Sequence, residues 1–175
     1  SENRPEWLIS DIAIRNAGGV TVPLFTTYSK NDYEYIIKDC EPKVCIVSNI
    51  DQFKKIKNYI AENTIVISID RFDETIEFFE NIFLKDKAIL KKSIKSADPY
   101  NNDLRRNDLA CIIYTSGTTG NPKGVMLSHG GILSNCEGAQ EILKSLTKKD
   151  PPVFLTWLPL SHSYEHTVQY VQILL

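Results

Sequence analysis

Several signals that classify many sequences are missing from this chain of 175 residues. No apolar run approaches the roughly 20 residues that a helix needs to span a bilayer. The first ten residues have no basic stretch followed by an apolar core, so we expect no signal peptide among them. The formal net charge is -2, whereas nucleic-acid-binding domains usually carry a strongly basic face. These absences predict a cytoplasmic protein with neither a transmembrane segment nor a nucleic-acid partner.

The four cysteines also lack the spacing of a metal or redox site. Cys40, Cys45, Cys111 and Cys136 form no CxxC pair, and three of them lie in or beside apolar runs. Such cysteines are typical of small buried hydrophobic residues in a reducing compartment. We therefore expect neither a disulfide framework nor a zinc site.

Short apolar runs alternate with longer amphipathic segments along the chain. The runs are continuous in Val, Ile and Leu, as strands covered on both faces should be. Strands that alternate with helices predict βαβ units, hence an α/β fold with a doubly wound, mostly parallel sheet and helices on both faces. The predicted strands are 20–25, 43–48, 64–70, 109–115 and 152–159. The predicted helices are 4–19, 30–42 (capped by Asn31 or Asp32), 50–63, 73–92, 129–146 and 161–175.

One segment carries a recognisable binding chemistry: "YTSGTTGNPKGV", at 114–125, directly after the predicted strand 109–115. Ligands of open α/β sheets bind beyond the carboxyl ends of the strands. The segment offers bare backbone N–H groups, hydroxyl donors and the single positive charge of Lys123, without a carboxylate, and this donor set suits a polyphosphate. It is not a Walker A loop, because Pro122 precedes Lys123 and Gly124 follows it. The alternative is a plain strand-to-helix turn whose glycines serve geometry alone.

Three segments together resemble one enzyme family. "YTSGTTGNPKGVMLSH" is similar to the phosphate-loop signature of the adenylate-forming, or AMP-binding, superfamily. "WLPLSHSYEH" resembles the LPLxHxxE segment of its long-chain acyl-CoA synthetases, and "ENRPEWLISDIAIRNAGGVTVPLF" resembles their early part. The resemblance covers nearly the whole chain, and the last two segments favour the branch that activates long-chain fatty acids.

The resemblance implies roles for particular residues. The loop that closes over the β- and γ-phosphates of ATP would consist of Thr115, Ser116, Gly117, Thr118, Thr119, Gly120 and Lys123. Thr115 would also help to hold Mg²⁺, and Lys123 and His162 would be the catalytic residues. His162 matches a position near the acyl carboxylate and the adenylate; the alternative is a residue at a helix start that bonds to the backbone. Glu165 and His166 would help to shape the acyl pocket.

The reaction that the resemblance implies is the ATP-dependent activation of a long-chain fatty acid through an acyl-adenylate to acyl-CoA. Its ligands would be ATP, Mg²⁺, the fatty acid and coenzyme A, and a full enzyme could attach peripherally to a membrane. Two alternatives stay open. The carboxylate could be medium-chain, aryl or an amino acid, or the chain could be a non-enzymatic nucleotide-binding remnant.

The resemblance also predicts that the chain is part of a larger domain. It begins with Ser1, and its last eight residues, "VQYVQILL", form an apolar helical pattern without a stop signal. The family's adenine, ribose and C-terminal lysine segments have no match in the sequence. We therefore expect residues 1–175 to be part of the AMP-binding N-terminal domain, without the C-terminal domain and inactive alone.

Overall fold

The computed structural model describes residues 1–85, 103–115, 120–146 and 153–174. These residues contain both helices and strands, as an α/β fold requires. The helices are α1 (Pro5–Asn16), α2 (Lys30–Cys40), α3 (Ile50–Ile56), α4 (Phe79–Lys85), α5 (His129–Leu146) and α6 (Ser163–Leu174). The strands are β1 (Val44–Val47), β2 (Ile65–Ser68), β3 (Glu77–Phe78), β4 (Leu109–Thr115) and β5 (Lys123–Ser128). Among the described residues, no helix is long and apolar enough to cross a membrane.

The first half of the chain forms a three-stranded parallel sheet in the order β1-β2-β3. Val44 pairs with Ile65 and Val47 with Ser68, and α3 lies between the two strands in the chain. Beside this sheet, the buried side chains of Tyr33 and Ile37 from α2 pack with Val47 of β1 and Ile56 of α3. The sequence prediction of an α/β fold with a parallel sheet is confirmed.

The second half contains an antiparallel pair that the sequence did not predict. Strand β4 has the predicted bounds, but the glycine segment leads into β5 and not directly into a helix. Helix α5 then begins at His129, as predicted. A parallel bridge between Thr21 and Cys111 joins β4 to the segment after α1. The 20–25 segment is therefore not a strand of its own and makes only this bridge.

Two further predictions differ from the structure. The described part of 152–159 contains no strand, and alternate side chains there, Val153, Leu155 and Trp157, are exposed. An apolar run becomes a strand only when a partner strand accepts its backbone hydrogen bonds. The predicted helix 73–92 begins with a turn, continues as β3 and becomes helical only at Phe79; its residues after Lys85 lie outside the described ranges. Helix α3 ends at Ile56, earlier than predicted.

The start of α2 is set by a capping box whose N-cap lies two residues before the first of the predicted caps. The Ser29 hydroxyl accepts a bond from the backbone N–H of Asp32, and the Asp32 carboxylate accepts one from the N–H of Ser29 at 3.0 Å. Ser29, and neither Asn31 nor Asp32, is the N-cap. Two of the helix's unpaired N-terminal donors are satisfied in this way, which fixes where the chain turns from Tyr28 into α2.

Candidate active site

The glycine segment connects the paired ends of an antiparallel hairpin. Thr115, the last residue of β4, lies opposite Lys123, the first residue of β5, and both are exposed. Gly120 has a φ of 106°, a conformation that L side chains rarely adopt, so glycine is required there. Predicted site residues Ser116, Gly117, Thr118 and Thr119 lie outside the described residues. The hairpin thus presents a hydroxyl and an ammonium side by side at its loop end.

Tyr114 holds the base of this hairpin end inside the fold. Its side chain is only 3% exposed, and its hydroxyl donates to the Asp39 carboxylate of α2. Its carbonyl oxygen accepts a hydrogen bond from the Tyr28 hydroxyl at 3.0 Å. Burial, and then the bond to Asp39, raise the pKa of Tyr114 far above its ordinary value. The phenol therefore stays protonated and donates at neutral pH.

Gly124 makes room for Tyr114 across the hairpin. The two residues are register partners. A Cβ at position 124 would lie 2.9 Å from the Cγ2 atom of Ile112 and 3.3 Å from the Cζ atom of Tyr114. Gly124 is thus a packing residue, not a ligand-facing one. The glycine after the lysine is explained by the Tyr114 ring that crosses the strand there.

His162 is the N-cap residue of α6 and remains exposed. Its Nδ1 atom accepts the backbone N–H of Tyr164 at 3.2 Å, so the neutral imidazole carries its proton on Nε2. Its ring lies edge-to-face with the ring of Phe25, with 6.5 Å between centroids. The Nδ1 atom therefore bonds to the backbone, as the helix-start alternative predicts. The Nε2–H group is a donor whose hydrogen bond a ligand oxygen could accept.

His166, one turn further along α6, is in a different environment. It is 4% exposed, and its Nε2 atom lies 3.0 Å from the Asp11 carboxylate and 2.8 Å from the Tyr170 hydroxyl. The Arg15 guanidinium donates to the same Asp11 oxygen at 2.5 Å and lies over the Tyr170 ring. We call Asp11, Arg15, His166 and Tyr170 the α1–α6 cluster. Its contacts converge on the Oδ2 atom of Asp11, while the Oδ1 atom is buried without a hydrogen-bond partner among the described residues.

Glu165 is likewise buried, with 2% of its surface exposed. It accepts a hydrogen bond from Gln169 at 2.9 Å, within the same helix. The side chains of Glu165 and His166 therefore lie in the protein interior around α6. A part in shaping an acyl pocket stays a prediction for both residues.

The donors at the hairpin end fit a polyphosphate. A hydroxyl and an ammonium are hydrogen-bond donors toward phosphate oxygens. The space beside Gly120 is open, since a Cβ there would meet nothing within 4 Å. The described residues contain no group of three or more His, Cys, Asp or Glu that could hold a metal ion by itself. A Mg²⁺ ion bound with ATP takes most of its ligands from phosphates and water, so one protein hydroxyl, that of Thr115, suits it.

Comparison with known proteins decides the family. A family model described as "AMP-binding enzyme" matches residues 1–175. The chain belongs to the AMP-binding enzyme family. Among its relatives, "Fatty acyl-CoA synthetase A" of Dictyostelium discoideum is 33% identical over 96% of this chain and 26% of its own length. "Long-chain-fatty-acid--CoA ligase 5" of Rattus norvegicus is 32% identical over 97% of this chain and 26% of its own length.

Solved structures agree with this assignment. ATP-bound MatB from Rhodopseudomonas palustris superposes with a TM-score of 0.72 at 28% identity, over 99% of this chain and 32% of the MatB chain. This chain spans about a quarter of the length of the curated relatives it matches. The AMP-binding family and the α/β fold of this chain are therefore established together.

Within this member of the AMP-binding family, sequence reasoning missed the residues that act through contacts distant in the chain. Tyr28 and Asp39 reach Tyr114 from segments far before the glycine loop. Asp11 reaches His166 from α1. The spacing of Asp11 and Arg15, four residues apart on a predicted helix, was an available signal, since opposite charges at that spacing lie on one helix face and pair.

Proposed function

We propose that this chain carries the phosphate-binding part of an ATP-dependent long-chain fatty acid–CoA ligase. The observation that carries the proposal is the exposed pair of Thr115 and Lys123 at the loop end of the β4–β5 hairpin, with Gly120 in the segment that connects them. The family assignment and the names of the relatives support the choice of reaction. Residues 1–175 would form part of the N-terminal, AMP-binding domain.

In the first step, a carboxylate oxygen of the fatty acid attacks the α-phosphorus of ATP. The bond from that phosphorus to the bridging oxygen breaks, and pyrophosphate leaves. Lys123 and the loop donors from Thr115 to Gly120 would neutralise the leaving pyrophosphate and keep it in line with the attack. That contribution is electrostatic stabilisation and positioning, without proton transfer by the protein.

His162 would donate a hydrogen bond from its Nε2–H group to an oxygen of the acyl carboxylate or of the adenylate. Its Nδ1 atom is held by the backbone of α6, so the donor's direction is set before substrate binds. Thr115 would supply one oxygen ligand to the Mg²⁺ that accompanies ATP. In the second step, the thiolate of coenzyme A attacks the acyl carbon and AMP leaves. The cytoplasmic location and any peripheral membrane attachment stay predictions.

The first test is ATP binding by the chain with Mg²⁺, measured by isothermal titration calorimetry. We expect Lys123→Ala to weaken binding about tenfold to a hundredfold, because a hydrogen bond to a charged group is lost. Lys57→Ala, at the exposed end of α3, is the matched control and should bind like wild type. Wild-type chain without ATP binding, or equal binding by Lys123→Ala, would contradict the proposal.

The second test addresses competence. We propose that residues 1–175 alone do not catalyse adenylation, because no segment of this sequence matches the family's adenine, ribose and C-terminal lysine elements. With ATP, Mg²⁺ and palmitate, the chain should show no pyrophosphate exchange above that of Lys123→Ala. Exchange that exceeds this control would show that residues 1–175 suffice for adenylation and would contradict this proposal.

A further inference from the structure

We infer that Tyr28 is a positioning residue, which holds the base of the phosphate-binding hairpin and His162 in one frame. The inference rests on the proposed function, since it assigns Tyr28 a part in that site. It depends on contacts made by the Tyr28 hydroxyl on one side and by its ring on the other. Tyr28 itself lies outside both the glycine segment and the segment around His162.

The hydroxyl side of Tyr28 fixes the hairpin. Its O–H donates to the carbonyl of Tyr114, the last buried residue before exposed Thr115. The bond is partly buried, so water competes poorly for the carbonyl. Burial, and then the charge of Asp32, raise the pKa of Tyr28, which keeps the hydroxyl a donor at neutral pH. The position at which β4 ends thus depends on a residue of the segment before α2.

The ring side of Tyr28 leads to His162. The Tyr28 and Phe25 rings pack edge-to-face with 5.3 Å between centroids, and Phe25 packs edge-to-face on His162 at 6.5 Å. Both separations lie in the range of attractive aromatic pairs. The Tyr33 hydroxyl donates to the Phe25 carbonyl at 2.7 Å, and the Tyr28 N–H donates to the same carbonyl at 3.3 Å. The turn that carries both rings is therefore tied to α2.

The bridge therefore runs from Tyr114 through Tyr28 and Phe25 to His162. In-line attack needs the carboxylate, oriented by His162, and the leaving pyrophosphate, held by the hairpin, at a fixed separation. Small errors in such a separation are costly to the rate. Tyr28 connects the two groups through packed side chains, which resist displacement more than a loop exposed to water does.

Tyr28→Phe tests the hydroxyl alone, because the ring and its packing remain. We expect faster hydrogen–deuterium exchange in peptides that cover 109–125 and an ATP affinity lowered about three- to tenfold. Tyr59→Phe is the matched control, since Tyr59 packs against the same core cluster as Tyr28. It should leave both measurements as in wild type.

Phe25→Leu tests the other side of the bridge. It removes the ring next to His162 and leaves the bond between Tyr28 and Tyr114 in place. We expect the NMR signal of the His162 ring C–H to move while that of His129 stays, with exchange in 109–115 unchanged. A variant of His162 assigns the signal.

The outcomes separate the positioning role from the proposed function. Unchanged exchange in Tyr28→Phe, or an equal increase in Tyr59→Phe, would overturn the positioning role. An unmoved His162 signal in Phe25→Leu would do the same. Wild-type chain that binds no ATP would overturn the proposed function instead, and the exchange and NMR measurements would still decide whether Tyr28 joins the two segments.

Discussion

The α1–α6 cluster and the loop end of the β4–β5 hairpin use similar polar groups in opposite ways. In the cluster, the Asp11 carboxylate is buried and is contacted by Arg15, His166 and Tyr170. At the hairpin end, Thr115 and Lys123 are exposed. A buried polar group must find its partner within the fold, whereas an exposed donor remains available to a ligand.

Helix α6 contains the same contrast within one turn. His162 is exposed at its start and His166 is buried one turn later. His166 joins α6 to α1, and this attachment determines where His162 lies. The two histidines show that burial, not residue type, separates the part that holds the fold from the part that we propose to meet substrate.

The largest effect is expected from Asp11→Ala in the α1–α6 cluster. The substitution leaves the buried Arg15 charge without its carboxylate, and breaking a buried pair costs about 3–5 kcal/mol of unfolding free energy. Urea denaturation followed by circular dichroism measures this loss. A loss of this size would show that the buried polar groups of the α1–α6 cluster stabilise the fold.

Arg4→Ala is the control for Asp11→Ala, because Arg4 pairs with Asp70 at the surface. Surface pairs contribute about 0–1 kcal/mol. If both variants unfold at the same urea concentration, the α1–α6 cluster is no more important than a surface ion pair, and the comparison fails.

A smaller effect is expected from Gly124→Ala in the hairpin. The new methyl group would press on Ile112 and on the Tyr114 ring, and overpacking of this kind costs about 1–3 kcal/mol. ATP binding should weaken as well, because Tyr114 positions the end of β4, where the glycine segment begins. Thermal denaturation and calorimetric titration measure the two losses.

Gly138→Ala is the matched control in α5. A Cβ there meets nothing within 4 Å, and alanine in a helix interior is more favourable than glycine by about 1 kcal/mol. This variant should therefore be slightly more stable than wild type. Opposite signs for the two glycines are the expected outcome; a neutral Gly124→Ala would mean that the hairpin adapts to the added methyl group.

The effect that is smallest at neutral pH appears only in alkaline solution. Burial raises the pKa of the Cys111 thiol in β4 to about 11 from an ordinary 9.0. The unfolded chain therefore releases this proton first, so the contribution of the thiol to stability is complete below pH 9 and is lost as pH rises toward 11. Urea midpoints between pH 8 and 11 should fall less steeply for Cys111→Ala than for wild type. Parallel curves would show that this thiol does not titrate differently in the folded chain.

Much of the fold could be predicted because local patterns agree with the tertiary structure. Strand β4 and helix α5 have the bounds that their apolar patterns predicted. Strand β5 was missed because it is mostly exposed, as Val125 and Met126 show, and contains Gly124. Its sequence therefore lacks the long apolar run that predicts a buried strand. Its pairing with β4 supplies the hydrogen bonds that define it as a strand. The run at 152–159 was overpredicted for the opposite reason, since its described residues are mostly apolar but pair with no strand.

The sequence by itself determined the AMP-binding family, the α/β alternation and the candidate ligand residues Lys123 and His162. These follow from short segments whose chemistry can be read without knowledge of distant residues. Only the tertiary structure decided that Tyr28 bonds to Tyr114, that Gly124 accommodates a ring and that His166 pairs with Asp11. Such contacts join residues far apart in the chain, and their energy depends on burial and distance, which arise only when the chain folds.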